Sequence, residues 1–249
     1  VTIPRQCEQL DEDTPVTVHL LGRSTEPADL VVIGSHCVGQ DLLLGLLSRR
    51  GFRVKSMAVG STGGLVAARR GECDLAGVHL LDPATDTYNV TFLGPDLTLV
   101  KGYVRMQGVV FRPGDARFQG KSPEAAVASA LADPVCRMVN RNRGSGTRVL
   151  IDRLLQVGGE PRQPPGFYVE VKSHNAVAAA VAQSRADWGL SIEPVARDAG
   201  LGFIPLREEE FDFAIPRTRQ DRPAVQAFRQ MLAEPSTKEL LASHGFRRP

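Results

Sequence analysis

From position 29 onward the apolar residues follow two alternating rhythms. Short continuous runs such as ADLVVIG, FRVKSMAVG and CDLAGVHLL read as buried strands. Between them, DLLLGLLSRR and LVAARRG space their apolar residues as helices do and stop at glycine. A second series follows GYVRMQGVVFRPGD. Ser122, Pro123 and Glu124 make a helix start: a capping hydroxyl, proline at the first helical position, then an early acid. Strand CRMVN leads to helix TRVLIDRLLQVGG, strand GFYVEV to helix NAVAAAVAQS, and strand DWGLSI follows. GLGFIPL and EEFDFAIPR come next, before two helical stretches, PAVQAFRQMLAE and TKELLASHG. Strand–helix alternation of this kind predicts an α/β fold with a mainly parallel sheet. Residues 1–22 differ: VTIP and PVTVHLLG alternate with period two around the acidic EQLDEDT. They predict a short β-hairpin, with RSTEPAD as a linker.

Composition narrows the class. A chain of 249 residues holds one large or two small domains. With 42% hydrophobic and 23% charged residues it reads as an ordinary soluble globular protein. A net charge of +2 gives no broad nucleic-acid surface. No apolar run reaches the ~18 residues of a membrane span, and the first residues lack a signal peptide's basic start and apolar centre. Cys7, Cys37, Cys73 and Cys136 show no C-x-x-C spacing, which favours free thiols in a reducing cytosol and a cytoplasmic location.

A repeated device carries the candidate chemistry. An apolar strand gives way to a loop of small polar residues that opens a helix, at residues 34–36, 60–64, 144–147 and 173–175. A helix start leaves about four backbone N–H groups unpaired and carries roughly half a positive charge. Glycine admits a ligand close to the backbone, and serine or threonine hydroxyls cap the helix or donate to an acceptor. Such loops bind anions, and in open α/β sheets ligands gather at the carboxyl ends of strands. A serine at a helix start is also an ordinary cap, and a glycine-rich loop an ordinary turn; four in one series argue for convergence on one cleft.

The loops lack the G-x-x-x-x-G-K-[ST] and G-x-G-x-x-G patterns of nucleotide sites. No catalytic set stands out. His36, His79 and His174 have no metal-site spacing, GSHCVG is not a nucleophile elbow, and Cys37 beside His36 is the residual candidate for a thiol nucleophile.

Three longer segments support a family resemblance: AVGSTGGLVAARRGECDLAGVHLLD with TDTYN after it, NRNRGSGTRVLIDRLL, and SHNAVAAAVAQSRADWGL. They resemble the periplasmic-binding-protein-like (type II) domain fused to molybdopterin molybdenumtransferases and to some DNA-binding regulators. More distantly they are similar to the tungstate- and molybdate-binding proteins of transporters. The likeness covers about residues 29–215. VTIPRQCEQLDEDTPVTVHLL is similar to the last hairpin of a molybdenumtransferase's C-terminal β-barrel, with Glu8 and Leu10 at matching places.

The resemblance implies a two-lobed α/β fold joined by crossing strands and closing on a ligand. Residues 1–28 are then a hairpin remnant of an upstream β-barrel plus linker, and 29–249 the binding domain. Lobe one takes 29–104 and 206–249, lobe two 105–205. The oxyanion loop of tungstate binders, S-R-G-D-x-S-G-T, overlies 140–147: Arg141, Ser145 and Thr147 match, while Asn140 and Arg143 replace its first serine and its aspartate. Ser35 and Ser61 fall where the first lobe offers donors, although GSHC stands in place of a threonine-rich loop. Thr62 and Ser173 join the expected ligand set, with His36, His79, Tyr88 and His174 as further candidates.

The function implied is a non-catalytic module binding molybdate or tungstate for an upstream molybdenumtransferase domain of the same protein. Phosphate, which retains a proton and wants an acceptor such as Asp41, Asp82 or Asp86, stays open, as does a larger pterin cofactor precursor. The alternatives are the sensor domain of a transcription regulator and the extracytoplasmic receptor of an oxyanion transporter.

Overall fold

The computed structural model describes residues 7, 9–11, 13–19, 26–82, 84–143, 145–157 and 160–248. The chain order is β1 (Leu30–Gly34), α1 (Val38–Arg49), β2 (Val54–Ala58), α2 (Gly60–Arg69), β3 (Ala76–Val78) and a long strand β4 (Leu97–Phe111). Then come α3 (Pro123–Ala132), β5 (Met138–Arg141), α4 (Gly146–Leu154), β6 (Glu170–Val171), α5 (His174–Ala182), β7 (Trp188–Ile192) and α6 (Glu193–Asp198). A second long strand, β8 (Gly202–Pro216), precedes α7 (Pro223–Ala233) and α8 (Pro235–Ser243). Ser122 caps α3 as its sequence predicts, accepting from Ala125 N at 3.2 Å.

The main sheet runs β6-β5-β7-β4-β8-β3. β1 pairs with β2 in parallel and reaches β3 through Ile33 N to Leu75 O (3.0 Å) and Ser35 N to Gly77 O (2.9 Å). β4 and β8, each 15 residues long, pair antiparallel along their whole length, from Gly202 opposite Phe111 to Pro216 opposite Leu97. The Phe111 end of β4 borders β7, and the Ala214 end of β8 borders β3, so this pair joins the two halves of the molecule. One half packs α1, α7 and α8 around Leu43, Leu47, Phe211, Phe213 and Phe228; the other packs Phe111, Phe118, Met138, Ile151 and Trp188.

GLGFIPL and EEFDFAIPR, separate stretches by sequence, form the single strand β8. The charged run between them fits because side chains alternate across a strand. Glu208 and Glu210 turn outward to Arg247 and Lys101, while Glu209 turns inward.

Of the hairpin expected over 1–22, residues 7, 9–11 and 13–19 form no strand, and the rest lie outside the described residues. A two-stranded ribbon has little stability in water without a further sheet or helix to cover it.

Three glycines set the spacing of the first half. A Cβ on Gly64 would stand 2.6 Å from Gly34 Cα and 2.7 Å from Ile33 O; one on Gly34 would stand 2.6 Å from Gly77 O. Helix α2 therefore lies directly on the backbone of β1, which brings the loops after β1 and β2 together. Gly64→Ala should separate them and cost about 1–3 kcal/mol of stability as an overpacked contact. Urea unfolding of the variant measures this; an unchanged midpoint would mean the helix can shift freely.

Candidate functional site

The ends of β1, β2, β3 and β5 and the starts of α1, α2, α4 and α5 surround a cavity of ≈ 550 Å³. On the first half, Ser35 Oγ and Ser61 Oγ lie 3.0 Å apart, both side chains buried. His79 N donates to Ser61 Oγ at 3.1 Å, fixing that hydroxyl as an acceptor and leaving its proton for Ser35 or a ligand.

Behind them stands a buried ionic row. His79 Nδ1 donates to Glu209 Oε1 at 2.8 Å, and Arg105 Nε donates to Glu209 Oε2 at 2.6 Å. Arg105 is 0% and Glu209 2% exposed. Burial raises the Glu209 pKa, but Arg105 and His79 outweigh it and hold it at about 2. Burial lowers the His79 pKa and outweighs the attraction of Glu209, so the ring is neutral.

On the second half, Arg141 ends β5 and is 7% exposed. Its guanidinium donates to Val171 O (3.3 Å), Lys172 O (3.2 Å) and His174 Nδ1 (3.3 Å). No carboxylate pairs with it among the described residues. Burial, then the repulsion of Arg105, pushes its pKa down to about 10. Since arginine only donates, His174 Nδ1 must accept, and the ring proton sits on Nε2. Burial, then Arg141, lowers the His174 pKa well below the ordinary range. Ser145 opens α4 without capping it, and its buried Oγ has no partner among the described residues. At the rim His36 pairs with Asp41 at 2.7 Å, and that hydrogen bond raises the histidine pKa.

Ser35, Ser61, Thr62, Arg141 and Ser145 thus face one cavity, together with His36, His79 and His174. Thr147 and Ser173 do not. Helix α4 begins at Gly146, and Thr147 in its opening turn is 0% exposed, with no hydrogen-bond partner for its Oγ1 among the described residues. Ser173 Oγ is spent on capping α5, accepting from Ala176 N at 3.1 Å. Tyr88 lies outside the cleft, in a neighbouring chamber, and donates to Glu208 O at 3.2 Å. Gly144 lies outside the described residues. Arg148 is paired away from the cleft, with Asp152 (2.8 Å) and Glu170 (2.6 Å).

Sequence reasoning did not single out Asn142 and Lys172, which line the cavity along with Arg143, and passed over Arg105 and Glu209 behind it. The last two left a signal: a charge inside each apolar strand, GYVRMQGVVF and EEFDFAIP. Arg141, Arg143 and Lys172 bring three cations to the cavity, and no carboxylate lines it among the described residues.

Residues 44–233 match a family model described as a PBP superfamily domain. The uncharacterized protein YvgK of Bacillus subtilis (strain 168) is 28% identical over 180 residues, covering 70% of this chain and 56% of that protein. The chain therefore spans about half the length of this relative. An ABC-type phosphate transport receptor from Vibrio cholerae shares the fold at 16% identity and a TM-score of 0.58, over 88% of this chain and 100% of that one. The tungstate ABC transporter from Geobacter sulfurreducens does so at 15% identity and a TM-score of 0.61, over 86% and 97%.

The buried histidines give the fold a pH dependence. Their folded pKa values lie below the ordinary 6.5, so the unfolded chain takes up protons that the folded one refuses. Stability is full above pH 6.5 and declines as pH falls below it. Glu209, held at about 2 against an ordinary 4.5, adds a second loss as pH falls between those values. Urea midpoints across this range should fall on the acid side. The double variant His79→Gln, His174→Gln should flatten the upper part of the curve; an equally steep decline there would assign it to other groups.

Proposed function

The chain belongs to the PBP superfamily, and on that premise we propose that its cleft binds a fully deprotonated tetrahedral oxyanion, molybdate or tungstate. The observation that carries this reading is Arg141: a buried guanidinium facing a cavity, with carbonyl and imidazole partners in place of a counter-ion. A buried cation without a balancing charge is costly, and a bound dianion removes that cost. Ser61, Thr62 and Ser145 stand at helix starts beside it, where backbone N–H groups and the helix dipoles favour anions. The absence of a lining carboxylate among the described residues favours an ion with no proton to place. Asp41, Asp82 and Asp86, the acids available for hydrogen phosphate, are engaged with His36, Ala84 N and Arg207.

The context we assign is molybdenum-cofactor biosynthesis in the cytoplasm, with the module holding its ion for a molybdopterin molybdenumtransferase domain. The likeness of the quoted segments supports this context. Calorimetric titration with molybdate, tungstate, sulfate and phosphate tests the ligand. Arg141→Ala removes a charge-assisted hydrogen bond worth roughly 1.5–3 kcal/mol, so affinity should fall about 10- to 150-fold. Thr147→Val and Arg148→Ala, outside the cleft, should bind as the parent does. An Arg141→Ala protein that binds molybdate and tungstate unchanged would sink the proposal.

A further inference from the structure

Beside the cleft lies a second chamber of ≈ 200 Å³ that shares His79, Ser145 and Gly146 with it. Its volume equals that of about six or seven water molecules. Leu80, Leu81, Tyr88, Val149 and Leu150 make most of the remaining wall, Arg153 and Glu209 border it, and Gln107 brings an amide. Gln107 is 1% exposed, and its Oε1 has no hydrogen-bond partner among the described residues. A buried acceptor left unpaired is costly, and a donor brought by a ligand removes that cost. Gly146 lines both spaces and puts no side chain between them: a Cβ there would stand 3.3 Å from His79 O and 3.4 Å from Glu209 Oε1.

We infer that the anion site also takes phosphate monoesters of a small ring carrying an N–H donor, with the phosphate in the cleft and the ring in this chamber. The inference rests on the anion reading above. The two agree chemically: a monoester's second pKa is about 6, so above it the phosphate is a dianion without a proton, as a site of donors requires. Inorganic hydrogen phosphate keeps a proton that no lining carboxylate among the described residues accepts.

The test is calorimetric titration of the full chain, well above pH ~6, with molybdate, inorganic phosphate, phenyl phosphate and 4-aminophenyl phosphate. The amine ester should bind at least about tenfold tighter than inorganic phosphate and tighter than the phenyl ester. Val149 lines the chamber but not the cleft and is 50% exposed, so Val149→Trp fills the chamber from its outer side. That variant should lose the ester's advantage and keep molybdate affinity. Gln107→Leu should equalise the two esters. Esters that bind no tighter than inorganic phosphate, or an advantage that survives Val149→Trp, would overturn the chamber while molybdate binding left the anion site standing. Failure of every anion, molybdate included, would instead overturn the anion reading itself.

Discussion

The Arg105–Glu209 pair sits where the two long strands run side by side between the halves of the molecule, and the site depends on it. The residues are direct cross-strand partners, flanked in register by Gln107 opposite Arg207 and Tyr103 opposite Phe211. Two charges this deeply buried are tolerable because each supplies what the other lacks, and because the Phe211 ring lies 5.1 Å from the Arg105 guanidinium. Glu209 then has one oxygen left, and it orients His79. His79 in turn holds Ser61 through its backbone N–H. A chain of hydrogen bonds thus runs from the crossing strands to the hydroxyls facing the cleft.

The opposite wall is built on a contrasting principle. Arg105 is neutralised by protein, whereas Arg141 is left with neutral partners. Both are arginines on strands of one sheet, and their guanidiniums repel enough for Arg105 to depress the Arg141 pKa. One arginine is committed to holding the scaffold, and the other faces the cavity without a counter-ion among the described residues. Arg148, on the same glycine-rich run as Arg141, goes to Asp152, Glu170 and the Phe167 face, and so braces the loop from outside.

Much of this was legible along the chain. The alternating strand and helix rhythm gave the α/β class, Ser122-Pro123-Glu124 gave a helix start, and the small-residue loops gave Ser35, Ser61, Thr62 and Ser145 as cleft residues. These are local properties, set by side-chain period, capping and turn chemistry, and they need no knowledge of what lies opposite. Thr147 and Ser173 are not in the cavity lining: the first is fully buried in the opening turn of α4 and the second spends its hydroxyl on capping α5, which a run of polar residues does not announce.

By itself, then, the amino-acid order marked most of the elements, the family likeness and the donor-rich loops. The tertiary structure alone decided which charges are spent and which remain. The sequence does not state which of Arg105, Arg141, Arg143 and Arg148 is neutralised; pairing with Glu209 or Glu170 depends on strands and helices brought together from distant positions. The same holds for Gln107, whose unpaired amide and neighbouring chamber exist because β4, α4 and the Leu81–Tyr88 hairpin converge there. Electrostatics and cavity shape are pairwise and spatial, so the chain order carries them only in the folded state.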